Sequence, residues 1–219
     1  MNAIHHIINK NTFWLSPHRC LFWEEEKTLI LSDLHLGKTG HFRKNGIAVP
    51  QDIYKEDLQC LLALVSFYKP TRVIVVGDMF HSKENKELDL FFKWRKDINH
   101  VHIDLVKGNH DILDEDWYIK TGIDINTELQ VNGFNFIHDI NDVEPSSFQD
   151  KYYFSGHFHP SVIIKGAGKQ SIRLPCFYFK TQYAILPAFS KFSGFASIEP
   201  SKKESVYAII EQGGICRKI

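Results

Sequence analysis

Three short apolar runs alternate with two amphipathic segments in the first half of the chain. The runs cover residues 27–36, 72–78 and 101–106, and their β-branched and aliphatic residues are typical of strands buried on both faces. Between the runs, apolar residues recur at helical spacing over residues 53–65 and 88–94. The order is therefore βαβαβ, which predicts a parallel sheet with right-handed crossovers.

Beyond about Asp124 the pattern changes to short β-rich runs that are separated by turn residues. These runs cover residues 134–138, 152–155, 171–174, 183–186 and 205–210. We expect them to form a second sheet that packs on the first. The 219 residues contain no Pro/Gly/Ser-rich linker, so we expect a single α/β domain over residues 1–219.

The composition excludes several classes of protein. Hydrophobic residues make up 43% and charged residues 24% of the chain, which is ordinary for a soluble globular protein. No apolar stretch approaches the roughly 18 residues that span a bilayer, and the N-terminus does not resemble a secretory signal. Four dispersed cysteines without a CxxC pair indicate reduced thiols. We therefore expect a cytoplasmic protein with no membrane partner.

The charges are balanced, with 26 Lys+Arg and 26 Asp+Glu. A neutral chain offers no strong global attraction for nucleic acid. Any polyanionic substrate must therefore be held by a local patch of positive charge.

Polar residues cluster at or just beyond the ends of the predicted strands. In open α/β sheets, ligands bind beyond the carboxyl ends of the strands. The clusters are Asp33-Leu-His35, Gly77-Asp78, Gly108-Asn-His-Asp111, His138 and Gly156-His-Phe-His159. Each motif alone is common, but five in this order near strand ends are hard to attribute to chance. The set predicts a functional site.

The donor types in these clusters indicate a hydrolytic metal site. Carboxylate, imidazole and amide oxygen suit Mn²⁺, Fe or Zn²⁺, and no cluster contains a thiolate. Strand alternation is expected to point Asp33 and His35 to the same face, and the same holds for His157 and His159 if that segment is extended. Two divalent ions with two carboxylates and a bridging hydroxide would leave about one positive charge, which matches a phosphodiester.

The ordered motifs between residues 33 and 159 resemble the calcineurin-like metallophosphoesterase superfamily. The resemblance implies a four-layer α/β/β/α sandwich and two metal ions that share Asp78. It also implies a ligand set for each ion. One ion would be held by Asp33, His35, Asp78 and His159, and the other by Asp78, Asn109, His138 and His157. Asp139 follows His138 where the superfamily often has glycine, but His138 is the only histidine between His110 and His157.

A narrower resemblance comes from Leu34-His-Leu-Gly-Lys38, residues 41–50, Gly77-Asp-Met-Phe-His-Ser82, Leu174-Pro-Cys-Phe177 and Leu186-Pro-Ala-Phe189. These segments are similar to the bacterial ligase-associated DNA-damage-response phosphoesterases, the PdeM family. The resemblance implies a Mn²⁺-dependent phosphodiesterase with nuclease activity. It also implies a functional association with a DNA ligase, an exonuclease and a helicase.

Two further residue groups are assigned roles in the reaction. We expect His110 to protonate the leaving oxygen, with Asp111 holding its imidazole; a helix or turn cap is the alternative for Asp111. The segment after the first ligand pair carries four basic side chains that could contact phosphates: Lys38, His41, Arg43 and Lys44. Phe42 could stack on a base, although a solvated loop with a buried Phe42 is the alternative. His81 and Arg72 are weaker candidates, the first for orienting a ligand and the second as a strand start.

Three functions follow from different classes of protein. The first is a Mn²⁺-dependent nuclease that acts on single-stranded DNA in DNA repair. The second is a phosphatase or phosphodiesterase of nucleotides or cyclic nucleotides, which the neutral net charge supports. The third is a metal-poor scaffold, which is disfavoured because every expected ligand position is filled.

Overall fold

The computed structural model consists of two β-sheets packed face to face, with helices on one outer side. It describes residues 4–38, 52–81, 86–149, 151–168, 170–210 and 215–219.

The first sheet contains seven strands that follow one another in chain order. They are β1 (Ile4–Ile8), β2 (Asn11–Ser16), β3 (Cys20–Trp23), β4 (Thr28–Leu31), β5 (Arg72–Val76), β6 (His102–Val106) and β7 (Ile123–Asn126). Strands β4 to β7 are parallel, which confirms the predicted βαβαβ order. Strands β1 to β3 add an antiparallel edge that was not predicted. The β1–β2 turn has positive φ at Asn9 and Lys10, although neither residue is the glycine that usually marks such a hairpin in a sequence.

Three helices within the described residues pack on the outer face of the first sheet. They are α1 (Asp52–Tyr68), α2 (Lys86–Asp97) and α3 (Glu115–Thr121). Asp114 caps α3 by accepting a hydrogen bond from the Asp116 amide, and Gly122 ends it at φ 66°. None of the described helices is long and apolar enough to cross a membrane.

The second sheet has nine strands, and its inner face forms a hydrophobic core with the first sheet. The strands are β8 (Leu129–Val131), β9 (Phe134–Ile137), β10 (Tyr152–Ser155), β11 (Pro160–Lys165), β12 (Ser171–Phe179), β13 (Tyr183–Ile185), β14 (Ala196–Ser197), β15 (Ser205–Ile210) and β16 (Ile215–Lys218). Phe13 and Trp23 of the first sheet pack against Phe134 of the second, with ring centroids 5.2 and 5.0 Å from it. This aromatic core fixes the two sheets against each other.

The outer face of the second sheet differs from the expected helical fourth layer. In the described residues it is covered by loops and by two 3-10 turns, Ile140–Asp142 and Pro145–Phe148. The Phe148 ring packs against Tyr153 and Tyr183, with centroids 5.4 and 5.9 Å away. Several neighbouring strands here are antiparallel, and such strands can be joined by short turns without a crossover helix. The two-sheet α/β fold itself is as predicted.

Candidate metal centre

The five predicted clusters meet where strands of both sheets end. Strands β4, β5 and β6 of the first sheet lead into Asp33, Asp78 and Asn109. Strands β9 and β10 of the second sheet lead into His138 and His157. The structure therefore brings together, at one edge of the sandwich, side chains that are far apart in the sequence, from Asp33 to His159.

Five of the seven predicted ligands have a left-handed backbone, which is rare for residues other than glycine. They are Asp33 (φ 52°), His35 (49°), Asp78 (48°), His157 (62°) and His159 (48°). Strand β4 already ends at Leu31, so the expected strand alternation does not orient Asp33 and His35. Turns after the strands orient them instead, and each left-handed residue costs about 1–2 kcal/mol. Such strain clusters at functional sites.

Asp33, His35 and His159 form one group of donors. One ligand atom from each lies within 4.8 Å of the others. The Nε2 atom of His159 is 3.3 Å from Oδ1 of Asp33, and the rings of His35 and His159 are 5.4 Å apart. This group is called the first triad below.

Asp78, His138 and His157 form a second group with the same spacing, called the second triad. The Nε2 atom of His138 lies 3.6 Å from Oδ1 of Asp78 and 3.1 Å from Nδ1 of His157. The side-chain oxygen of Asn109 is also 3.1 Å from this His138 nitrogen. The structure thus places Asn109 beside the second triad, as expected.

Three glycines of the motifs are required by the space that the ligands occupy. A Cβ on Gly77 would lie 1.7 Å from Nδ1 of His138, and one on Gly108 would lie 2.2 Å from Oδ1 of Asp78. A Cβ on Gly156 would lie 2.7 Å from Oδ2 of Asp33. The glycines therefore let the backbone approach the ligand side chains closely.

The donor atoms fit a divalent metal ion. His35 is only 5% exposed, and within the described residues neither of its ring nitrogens has a hydrogen-bond partner. A buried polar atom without a partner costs about 1–3 kcal/mol, which a metal bond would offset. Burial, followed by the nearby Lys38 charge, lowers the pKa of His35 to about 2. The imidazole is therefore neutral and has a lone pair available for a metal.

His110 lies beside the two triads. Its backbone N–H donates to Oδ1 of Asp78 at 2.9 Å, so the main chain at His110 helps to hold that carboxylate. Its ring centroid is 4.3 Å from His81 and 5.8 Å from His35. His81, a weak candidate from the sequence, is therefore part of the site's surroundings.

Asp111 has different contacts from those expected. Its carboxylate oxygens accept hydrogen bonds from the backbone N–H groups of Phe80 and Gly108, both at 2.9 Å. In the described structure no hydrogen bond joins Asp111 to the His110 ring. Burial raises the pKa of Asp111 to about 7. The carboxylate ties the loop after β5 to the loop after β6, so the turn-cap alternative describes it better than the catalytic assignment.

Of the predicted substrate contacts, Lys38 lies at the site. Its backbone N–H donates to the carbonyl of His35 at 3.1 Å. Burial lowers the pKa of Lys38, while the charges of Asp33 and Asp78 act in the opposite direction. The other three, His41, Arg43 and Lys44, lie outside the described residues, as does Phe42.

A third group of donors, His102, Asp104 and Asp124, lies at the opposite end of the parallel strands. Asp104 is paired with Arg72, whose Nε is 3.0 Å from Oδ2. Because the Arg72 guanidinium already pairs with this carboxylate, the group is a poor metal site. Arg72 therefore has a structural role.

No family model and no curated protein matches the sequence. Among solved structures, the nuclease MPE of Pseudomonas putida aligns over 100% of both chains with a TM-score of 0.83 and 23% identity. The phosphoesterase YfcE of E. coli aligns over 88% of this chain and 97% of its own, with a TM-score of 0.46 and 11% identity. The protein of unknown function AQ665 of Aquifex aeolicus aligns over 65% and 82%, with a TM-score of 0.41 and 16% identity. The chain therefore has the same fold as the Pseudomonas putida nuclease over its whole length.

Proposed function

We propose that this chain is a metal-dependent phosphodiesterase that binds two divalent ions and cleaves nucleic acid. The observation that carries the proposal is the pair of Asp/His triads, which lie together at one edge of the sandwich. Several of their buried imidazole nitrogens have no hydrogen-bond partner among the described residues. Two such ions would lower the pKa of a water molecule and neutralise the charge of a phosphate.

The ligand set follows the two triads. Asp33, His35 and His159 would hold one ion, and His138, His157 and Asn109 would hold the other, with Asp78 as the ligand that both could use. Two contacts of Asp78 support this role: its carboxylate lies 3.6 Å from His138, and its carbonyl accepts a hydrogen bond from the His35 N–H at 2.8 Å. The backbone N–H of His110 keeps the Asp78 carboxylate oriented. Mn²⁺ is the proposed metal, with Fe or Zn²⁺ as alternatives, because the donors are imidazole and oxygen.

His110 is the proposed proton donor to the leaving oxygen. Its side chain is partly exposed and lies next to the metal ligands, within reach of a bound phosphodiester. An imidazole can give up a proton near neutral pH, which suits an alkoxide leaving group.

The proposed substrate is single-stranded DNA. Phe158 stands between the ligands His157 and His159 and is 43% exposed, so an unpaired base can stack on it. Lys38 adds positive charge at the site, and His41, Arg43 and Lys44 supply more from the sequence. A role in DNA repair and an association with a DNA ligase, an exonuclease and a helicase are proposed from the family resemblance. The name of the Pseudomonas putida nuclease agrees with a nucleic-acid substrate.

A substrate panel tests this function. Purified protein with Mn²⁺ is assayed on a single-stranded DNA oligonucleotide, bis-p-nitrophenyl phosphate and p-nitrophenyl phosphate. We expect cleavage of both diesters and loss of activity in Asp78→Asn. Asp124→Asn is the matched control, because this carboxylate is exposed at the opposite end of the sheet. Strong monoester hydrolysis without diester hydrolysis would contradict the proposal.

A nucleotide or cyclic-nucleotide phosphodiesterase is the second candidate, and the neutral net charge favours it. Phe158→Ala separates the two. A nuclease that uses Phe158 for base stacking should show a raised KM for the oligonucleotide and an unchanged KM for bis-p-nitrophenyl phosphate. A cyclic mononucleotide cleaved far faster than the oligonucleotide would favour the second candidate.

A further inference from the structure

The segment of residues 187–194, which we call the strap, runs from the second sheet to the main chain at Ser32 and Asp33 beside the candidate metal centre. It follows β13, and Phe189 N–H donates to the carbonyl of Ser32 at 2.8 Å. Ser190 N–H donates to the carbonyl of Asp33 at 3.3 Å. The strap therefore holds the main chain of the first predicted ligand.

The far end of the strap contacts another ligand of the same triad. Nδ1 of His159 is 3.1 Å from the carbonyl oxygen of Gly194. A carbonyl can only accept, so Nδ1 is the donor in this hydrogen bond, and Nε2, which is 3.3 Å from Asp33, is the ring nitrogen that would face a metal ion. A hydrogen bond of this kind fixes both the tautomer and the ring orientation of a metal-binding histidine.

Two buried charged residues anchor the strap from outside. Arg19 is 4% exposed, and its Nη1 donates to the carbonyls of Ala188 and Ser190 at 3.3 and 3.0 Å. Asp57 of α1 is also buried and accepts hydrogen bonds from the Ser190 side chain and the Lys191 backbone. The strap is thus held by the β2–β3 turn on one side and by α1 on the other.

The support is uneven between the two triads. Among the described residues, hydrogen bonds of the strap run to Asp33 and His159, and none runs to Asp78, His138 or His157. The Asp33 carboxylate in turn accepts a hydrogen bond from the His157 backbone N–H at 3.1 Å, so a disturbance of the strap should act on the first triad directly and reach the second only through Asp33.

We propose that the strap, anchored by Arg19 and Asp57, is a positioning element that selectively sets the metal affinity of the first triad. Asp57 and Ser190 act as positioning residues. This inference rests on the proposed function, because it requires metal ions at both triads.

Calorimetric titration of the whole metal-free protein with Mn²⁺ tests the inference, with thermal unfolding as a check on folding. Asp57→Ala removes the acceptor for Ser190 and should lower the binding affinity for one of the two ions by roughly 10-fold. Asp57→Asn keeps an acceptor oxygen and should recover most of this loss. Ser190→Ala removes the same hydrogen bond from the other side and should weaken the same ion. Glu56→Ala, an exposed carboxylate on the same helix, is the control and should bind like the wild type.

A second pair of variants identifies which ion is weakened. His159→Gln should lose the ion that Asp57→Ala weakens, and His157→Gln should lose the other. Asp57→Ala combined with His159→Gln should then bind like His159→Gln alone.

An equal loss of affinity for both ions, or unchanged metal binding in folded Asp57→Ala and Ser190→Ala, overturns the strap inference. A wild type that binds one ion overturns the two-ion function instead, and the strap is then judged by whether Asp57→Ala weakens that ion.

Discussion

The imidazole of His159 lies 3.3 Å from the carboxylate of Asp33, although the two residues belong to turns that follow strands of different sheets. Both have a left-handed backbone, at φ 48° and 52°. Packing of the two sheets must hold these turns together against that strain. The candidate metal centre therefore depends on the sheet–sheet interface, so changes that disturb close packing there should also disturb metal binding.

Gly77→Ala should be strongly destabilising, because the new Cβ would lie 1.7 Å from Nδ1 of His138. Gly133→Ala is a matched control: it has the same φ of 82°, but a Cβ there meets nothing within 4 Å. The control should cost only the left-handed penalty of about 1–2 kcal/mol. Urea denaturation of both variants measures the difference. If Gly77→Ala is no less stable than Gly133→Ala, the close approach of His138 to the strand end is wrong.

The meeting of the predicted ligand residues was predictable because they follow the ends of predicted strands. All seven predicted ligands meet at one edge of the sandwich, and the parallel strands that carry Asp33, Asp78 and Asn109 follow from apolar runs. The orientation of Asp33 and His35 was not predictable from alternation, because the strand stops two residues earlier than the motif. The three-dimensional structure is needed to show that a turn with left-handed backbone orients these two side chains instead.

The supporting residues were harder to predict, because they act through backbone groups. Asp111 binds the amides of Phe80 and Gly108, and Arg19 binds the carbonyls of the strap. Backbone amides and carbonyls are present at nearly every position, so the segment that supplies them needs no particular amino acids and shows no recognisable sequence pattern. The antiparallel edge β1–β3 was missed for a related reason, since its hairpin turn at Asn9 and Lys10 lacks glycine.

His110→Asn should slow cleavage of DNA by about 10²–10⁴-fold while metal content stays the same. The loss should be much smaller for bis-p-nitrophenyl phosphate, because p-nitrophenolate leaves without needing a proton. Rates on the two substrates, together with metal analysis of the purified variant, give the answer. A loss of equal size on both substrates would count against proton transfer by His110 and point to a role in holding Asp78.

Removal of metal should lower the stability of the protein. A ligand at 100 times its dissociation constant adds about 2.7 kcal/mol, and for a chain of this size each kcal/mol raises Tm by about 2–4 °C. Each of the two proposed Mn²⁺ ions should therefore raise Tm by roughly 5–10 °C over protein treated with a chelator. His102→Ala, which changes the third donor group, should keep this shift, whereas His35→Ala should reduce it. An unchanged Tm in the His35 variant would refute the metal role of that buried imidazole.

Asp57→Asn should make the metal-free protein more stable at neutral pH than the wild type. Burial raises the pKa of Asp57 from 3.8 to about 6, despite the opposing hydrogen bond from Ser190 and charge of Arg19. The folded chain therefore holds this proton more tightly than the unfolded chain. The resulting stabilisation is complete below about pH 4 and is lost as the pH rises through 6.

An asparagine does not titrate, so the free energy of unfolding of the variant relative to the wild type should increase between pH 4 and pH 7. Two pKa units correspond to an increase of up to about 3 kcal/mol. Urea denaturation of both proteins across this range, with chelator present, measures it. Other acidic groups titrate equally in both proteins and cancel in the difference. A difference that stays constant with pH would show that Asp57 is ionised without cost, and its burial between Arg19 and the strap would then be fully compensated by its partners.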